Sequence, residues 1–110
     1  MFARILEFTP KTEKKEELIK TVRAEVLPIL RKQPGFLELI PLKPEIENEK
    51  VVAITLWTEK HVAEKYVKEV LPKVEQILKP FVATPLQFRS YTVETTLCHH
   101  LVDALTGVVA

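Results

Sequence analysis

The sequence predicts an α+β fold of ferredoxin-like type: element order βαββαβ, a four-stranded antiparallel sheet, and helices on one face. Three observations carry this. Runs rich in aromatic and branched residues lie at 2–8, 36–42, 51–57 and 86–94, the composition of strands. Between the first and second runs, and between the third and fourth, apolar residues recur at helical spacing. Finally, Glu25-Val26-Leu27-Pro28 recurs as Glu69-Val70-Leu71-Pro72, so each half reads strand–helix–strand. Right-handed crossovers then place both helices on the same side of the sheet.

The elements follow in order. Residues 2–8, FARILEF, form a strand that Pro10 terminates. Thr12 is the predicted N-cap of the first helix, with Glu13, Glu16 and Glu17 favoured by the dipole of its first turn. Ile19, Val22, Val26, Ile29 and Leu30 are its predicted buried face, Pro28 kinks it or marks a boundary between two segments, and Pro34-Gly35 is its stop. Residues 36–42, FLELIPL, contain Pro41, which cannot donate to a ladder, so this strand belongs at an edge or ends there. Residues 43–50 are mostly charged and read as a solvated loop. VVAITLW, 51–57, is the most strongly β segment. Thr58 is the next predicted N-cap, followed by Val62, Ala63, Tyr66, Val70, Val74, Ile77 and Leu78 at helical spacing, with a break at Pro72. Residues 86–94, LQFRSYTVE, alternate as a fourth strand. Leu97, Leu101, Leu105 and Val108, with Gly107 as a stop, predict a short C-terminal helix. Residues 1–94 are thus expected to form the domain, and 95–110 an extension packing on its own or a partner subunit.

Length and charge bound the function. A chain of 110 residues is one domain. Sixteen Lys and Arg against fifteen Asp and Glu leave +1, which gives no field to recruit nucleic acid or an anionic membrane. A single cysteine, Cys98, rules out an internal disulfide and suits a cytoplasmic location. No apolar run approaches the roughly 20 residues that span a bilayer. The opening MFARILEF lacks the basic-then-apolar order of a signal peptide.

Both faces of the predicted sheet are apolar. Val51, Ala53, Thr55 and Trp57 point one way and Val52, Ile54 and Leu56 the other. Phe2, Arg4, Leu6 and Phe8 oppose Ala3, Ile5 and Glu7, and Leu86, Phe88, Ser90 and Thr92 oppose Gln87, Arg89, Tyr91 and Val93. Helices cover one face only, and the other exceeds the apolar patch usual on a monomer. The expectation is a homodimer packed sheet to sheet.

Gln33-Pro34-Gly35-Phe36 entering the second strand, then Ile54-Thr55-Leu56-Trp57-Thr58 leading from the third strand into a helix, carry a family likeness. Over residues 2–94 the chain resembles the antibiotic biosynthesis monooxygenase (ABM) domains of the dimeric α/β-barrel superfamily. The resemblance implies a dimer, and a pocket between each helical layer and its sheet. It also implies a monooxygenase, either a cofactor-independent enzyme of aromatic polyketides or a haem-degrading one. Haem-degrading members use an Asn on the first strand, a Trp on the second helix and a His further along. The corresponding places here hold Leu6 or Glu7, Tyr66 and Gln76, so no axial imidazole is supplied.

The candidate catalytic residues are Tyr66, Arg4 and Arg89. Tyr66 would donate a hydrogen bond to a substrate carbonyl, or else be a core tyrosine. Arg4 and Arg89, on neighbouring strands, would bind an enolate or carboxylate, or else pair with Glu7, Glu38 or a partner chain. Trp57, Tyr91 and Phe88 are the candidate substrate-binding aromatics, Trp57 alternatively being a core anchor. His61 reads as a surface residue. Cys98-His99-His100 lacks zinc-site spacing, and no metal is expected. Phosphate loops, dinucleotide fingerprints and serine elbows are absent, and the resemblance to cofactor-independent members implies no tightly bound cofactor. The lead function is a monooxygenase acting on a small aromatic or quinol-type molecule. The alternative is a non-catalytic dimeric module binding a small ligand or a protein; many members of the family it resembles carry His on the second helix near residues 66–72, where this chain has Tyr66, Lys68 and Glu69, which favours it, and haem degradation comes third.

Overall fold

The computed structural model describes residues 1–97 and 99–106; Cys98, Gly107 and Val108 lie outside the described residues. Strands β1 (Phe2–Phe8), β2 (Phe36–Leu42), β3 (Val51–Trp57) and β4 (Gln87–Thr92) form one antiparallel sheet in the order β2-β3-β1-β4. This is the predicted ferredoxin-like α+β arrangement. Pro41 does sit on an edge strand, opposite Ala53, where its missing N–H leaves no ladder bond unmade in the sheet interior. The fourth strand is shorter than its pattern predicts.

The first helical stretch is a composite. A 3-10 turn (Thr12–Lys14) leads into α1 (Lys15–Thr21), then a π-helical turn (Val22–Val26), then α2 (Leu27–Arg31). The predicted kink therefore takes the form of a widened turn just before Pro28, closed by Leu27 N–H donating to the Val22 carbonyl. Its phasing corrects the predicted buried face. Leu18, Val26 and Leu30 are buried, with Val22 packed against them, whereas Ile19 is 57% exposed. A stripe spaced strictly by four residues drifts off the face of a 3.6-residue helix, and the extra residue in the π turn restores it.

The second stretch breaks as expected, into α3 (Lys60–Glu69) and α4 (Leu71–Leu78), with Pro72 in the first turn of α4. The repeated Glu-Val-Leu-Pro thus marks the same event twice, a helical segment opening at the Leu with Pro in its first turn. Neither threonine acts as the predicted cap: the cap positions are Lys11 and Glu59, without side-chain bonds. Lys11 is the last extended residue before the 3-10 turn, so Thr12 is already inside it. The Thr58 N–H donates to the Gly35 carbonyl (2.8 Å), which holds residue 58 on the strand side of the junction.

The core lies between helices and sheet and comprises Phe2, Phe8, Leu18, Val26, Leu30, Trp57, Ala63, Tyr66, Leu71, Val74 and Leu78. On the far face Ala3 and Leu56, paired across β1 and β3, are also buried. The predicted C-terminal helix is present as α5 (His99–Thr106) and packs against β2. Among the described residues no helix is long and apolar enough to cross a membrane.

Candidate functional site

Register places a polar strip on the helix-facing side of the sheet. Arg4 in β1 lies opposite Thr55 in β3 and Ser90 in β4. Phe2 and Trp57 flank the strip on one side, Leu6 and Phe88 on the other. Arg4 is half-buried and makes no ion pair among the described residues; its guanidinium lies over the Phe88 ring, 5.0 Å from the centroid. A cation on an aromatic face is stabilised electrostatically and keeps its N–H groups free for an incoming anion. Burial pulls the Arg4 pKa below its ordinary value, an effect that Tyr66 and Glu75 oppose.

Trp57 is fully sealed. Its indole N–H donates to the Thr55 hydroxyl (2.9 Å), and its ring meets Phe36 edge-on at 5.5 Å. Against its other side lies Tyr66, with centroids 5.0 Å apart and planes at 36°. Trp57 thus backs Tyr66. The Tyr66 side chain is buried, yet its hydroxyl makes no hydrogen bond among the described residues, where no sealed polar side-chain atom lacks a partner. The hydroxyl therefore meets open space. Burial pushes the Tyr66 pKa up to about 12; Arg4 works against that rise and Glu75 adds to it. Tyr66 consequently keeps its proton and acts as a donor.

On the same side, β4 forms an edge of the sheet. Every residue of that edge strand is exposed, including Phe88 and Ser90 on its helix-facing side. A cleft of about 300 Å³ lies there, lined by Glu75, Gln76 and Lys79 at the end of the helical layer and by Val82 and Leu86 leading into β4. The segment carrying Val82 is pinned to the end of β1, with Lys11 N–H donating to the Phe81 carbonyl and Ala83 N–H to the Thr9 carbonyl, both at 2.8 Å. A second cleft of about 320 Å³ lies under the charged β2–β3 loop, beside Pro10, Lys15 and Val51.

The structure brings Arg4, Tyr66, Trp57 and Phe88 to one side of the sheet and puts Arg89 and Tyr91 on the other. Arg89 pairs with Ile5 and Tyr91 with Ala3. Arg89 lies 3.9 Å from Glu7, and Tyr91 is 49% exposed. Neighbouring strands, which the sequence indicates, do not bring two arginines together when their register differs by one residue. His61 lies on the surface 3.1 Å from Glu59. Glu75 is the site residue that the sequence pattern misses; on a helix it reads as one more solvated carboxylate.

The fold and groove define an α+β domain with a helix-covered aromatic–arginine site at an open sheet edge. The sequence model for the antibiotic biosynthesis monooxygenase family matches residues 1–77, and the chain belongs to that family. No curated protein matches the chain. Solved structures share the fold at low identity. SnoaB, a cofactor-independent oxygenase from Streptomyces nogalater, is 19% identical, over 87% of this chain and 95% of its own, with a TM-score of 0.68. The monooxygenase from the gene ActVA-Orf6 of Streptomyces coelicolor, in complex with nanaomycin D, is 16% identical over 84% and 87%, also with a TM-score of 0.68. Rv0793 from Mycobacterium tuberculosis is 14% identical over 84% and 93%, with a TM-score of 0.65.

Proposed function

We propose that the protein is a monooxygenase that oxidises a small, flat, electron-rich aromatic or quinol-type molecule without a tightly bound cofactor. One observation carries this reading. Two donors without hydrogen-bond or ion-pair partners among the described residues, the Arg4 guanidinium over the Phe88 ring and the Tyr66 hydroxyl, lie on the helix-facing side of the sheet beside an open apolar edge. Such a pair stabilises an oxyanion that forms as the substrate loses a proton. The substrate itself then supplies the electrons: a benzylic CH2 and O2 give a ketone and water, with both hydrogens leaving in the water. The protein's part is to desolvate, position and hold negative charge. The family match and the likeness to a cofactor-independent oxygenase support the reading. Oxygen uptake with anthrones and naphthohydroquinones tests it; protein-dependent uptake is expected, and none above the uncatalysed rate would overturn it.

The same reading includes a homodimer in the cytoplasm. The far sheet face supports pairing, since Ile5, Val52, Ile54, Ile40 and Leu42 form an apolar surface edged by Glu7 and Arg89. A second reading, a ligand-binding module without turnover, draws on the sealed Trp57, whose indole is wholly engaged within the fold. It would give saturable binding of the same aromatics with no oxygen uptake.

A further inference from the structure

Stabilising an anion is half of the chemistry; something must accept the proton. Resting on the reading above, we propose that Glu75 is the catalytic base of this site. It would take the acidic C–H or O–H proton of a flat carbon or phenol acid bound between α4 and β4.

Placement supports this. Glu75 follows the buried Leu71 by four residues and precedes the buried Leu78 by three, so it lies on the flank of α4 that borders the core. It lines the cleft together with Leu86. Leu86 shares with Phe88, two residues on, the side of the sheet that carries Arg4. The floor of the cleft therefore runs on to the cationic donor. The Glu75 carboxylate also contributes to the field at both Arg4 and Tyr66. Among the described residues it makes no ion pair or hydrogen bond, Lys79 one turn on included, so its lone pairs are uncommitted.

Elimination leaves the same residue. Of the groups around this groove, Arg4 and Lys79 are cations, Tyr66 holds its proton, and the Thr55 and Ser90 hydroxyls are not bases. The Trp57 indole is a donor only. The carboxylate at Glu7 projects from the far face, toward Arg89.

The step is a simple transfer. The substrate C–H or O–H bond breaks, its electron pair stays on the substrate as an enolate or phenolate, and the proton forms a bond to a Glu75 oxygen. The oxyanion then sits against Arg4 and Tyr66, which offset the weak basicity of a carboxylate by stabilising the product of the transfer. Glu75 is exposed, so its proton passes on to water and the base is regenerated.

The test isolates proton transfer from oxidation. Anthrone has an acidic CH2, and its exchange with D2O is followed by NMR under strict exclusion of oxygen. The wild-type protein is expected to accelerate exchange, and Glu75→Gln to lower that acceleration about 100-fold or more. Quenching of Trp57 fluorescence by anthrone, and the unfolding midpoint, should be retained in Glu75→Gln. Exchange that is not accelerated by the wild type, or is equally fast with Glu75→Gln, overturns the proposal. Accelerated, Glu75-dependent exchange without oxygen uptake in air would instead leave the base in place and remove the monooxygenase reading.

Discussion

The Arg4 guanidinium rests on the ring of Phe88, 5.0 Å from its centre, across the two strands that border the open edge of the sheet. Arg4 and Phe88 are diagonal rather than directly opposed, since Phe88 pairs with Leu6, and the long arginine spans that offset. A half-buried cation that makes no ion pair among the described residues gives up hydration for a ring face and distant charge, so little net stability rests on it.

Arg4→Met is therefore expected to leave the urea midpoint unchanged or raised while lowering turnover about 100-fold or more, the scale of losing one preorganised donor to an oxyanion. Paired denaturation and oxygen-uptake measurements check this. A large loss of stability with turnover intact would mean that Arg4 serves the fold alone.

Tyr66 makes a pH prediction. Its folded pKa lies near 12, against 10 for an ordinary phenol. Between those values the unfolded chain has lost the proton and the folded one has kept it. The stabilisation is whole below pH 10 and is lost as pH rises through the folded value. At about 1.4 kcal/mol per unit, the full loss is about 3 kcal/mol, about 2 kcal/mol of it by pH 11.5. Urea unfolding at pH 9 and 11.5 should show it as an extra decline in the wild type relative to Tyr66→Phe. Equal declines would contradict it.

Gly35 and Thr58 join the two motifs that mark the family likeness. Gly35 has φ of 79°, and a Cβ there would fall 2.5 Å from Val62 Cγ2 and 2.8 Å from Thr58 Oγ1. Only glycine accepts both the left-handed backbone and that closeness. Gly35→Ala is expected to cost about 2 kcal/mol or more in chemical denaturation, from backbone strain and crowding together.

The bond from the Trp57 indole to Thr55 is the only hydrogen bond of that indole among the described residues, in a sealed position. Thr55→Val keeps the shape but leaves the donor unpaired, and should cost about 1–3 kcal/mol. It should also blue-shift or broaden Trp57 emission. Thr55→Ser, which retains the acceptor, should restore both.

Much of the fold was legible because single residues forced it. Pro41 allowed only an edge strand or a strand end, Pro28 and Pro72 had to interrupt helices, and alternation in 51–57 set two apolar faces. What the sequence did not supply was helical phase and the strand register. The four-residue stripe of Leu18, Val22, Val26 and Leu30 needs a π turn, which average helical spacing does not suggest. Arg4 and Arg89 lie on adjacent strands in any reading of the order, but pairing offset by one residue separates them by the thickness of the sheet. Both threonine caps looked right by composition, and backbone bonding at their junctions decided otherwise. Glu75 was invisible for a different reason. A carboxylate on an amphipathic helix is ordinary until the other wall of its cleft, Val82 and Leu86, is in place.

The most direct test of the oxygenation chemistry is an anthrone turnover under 18O2 with no added reductant. One labelled oxygen in each product molecule, one O2 consumed per product and no hydrogen peroxide are expected. Peroxide in stoichiometric yield with unlabelled product, or no protein-dependent consumption at all, would contradict it.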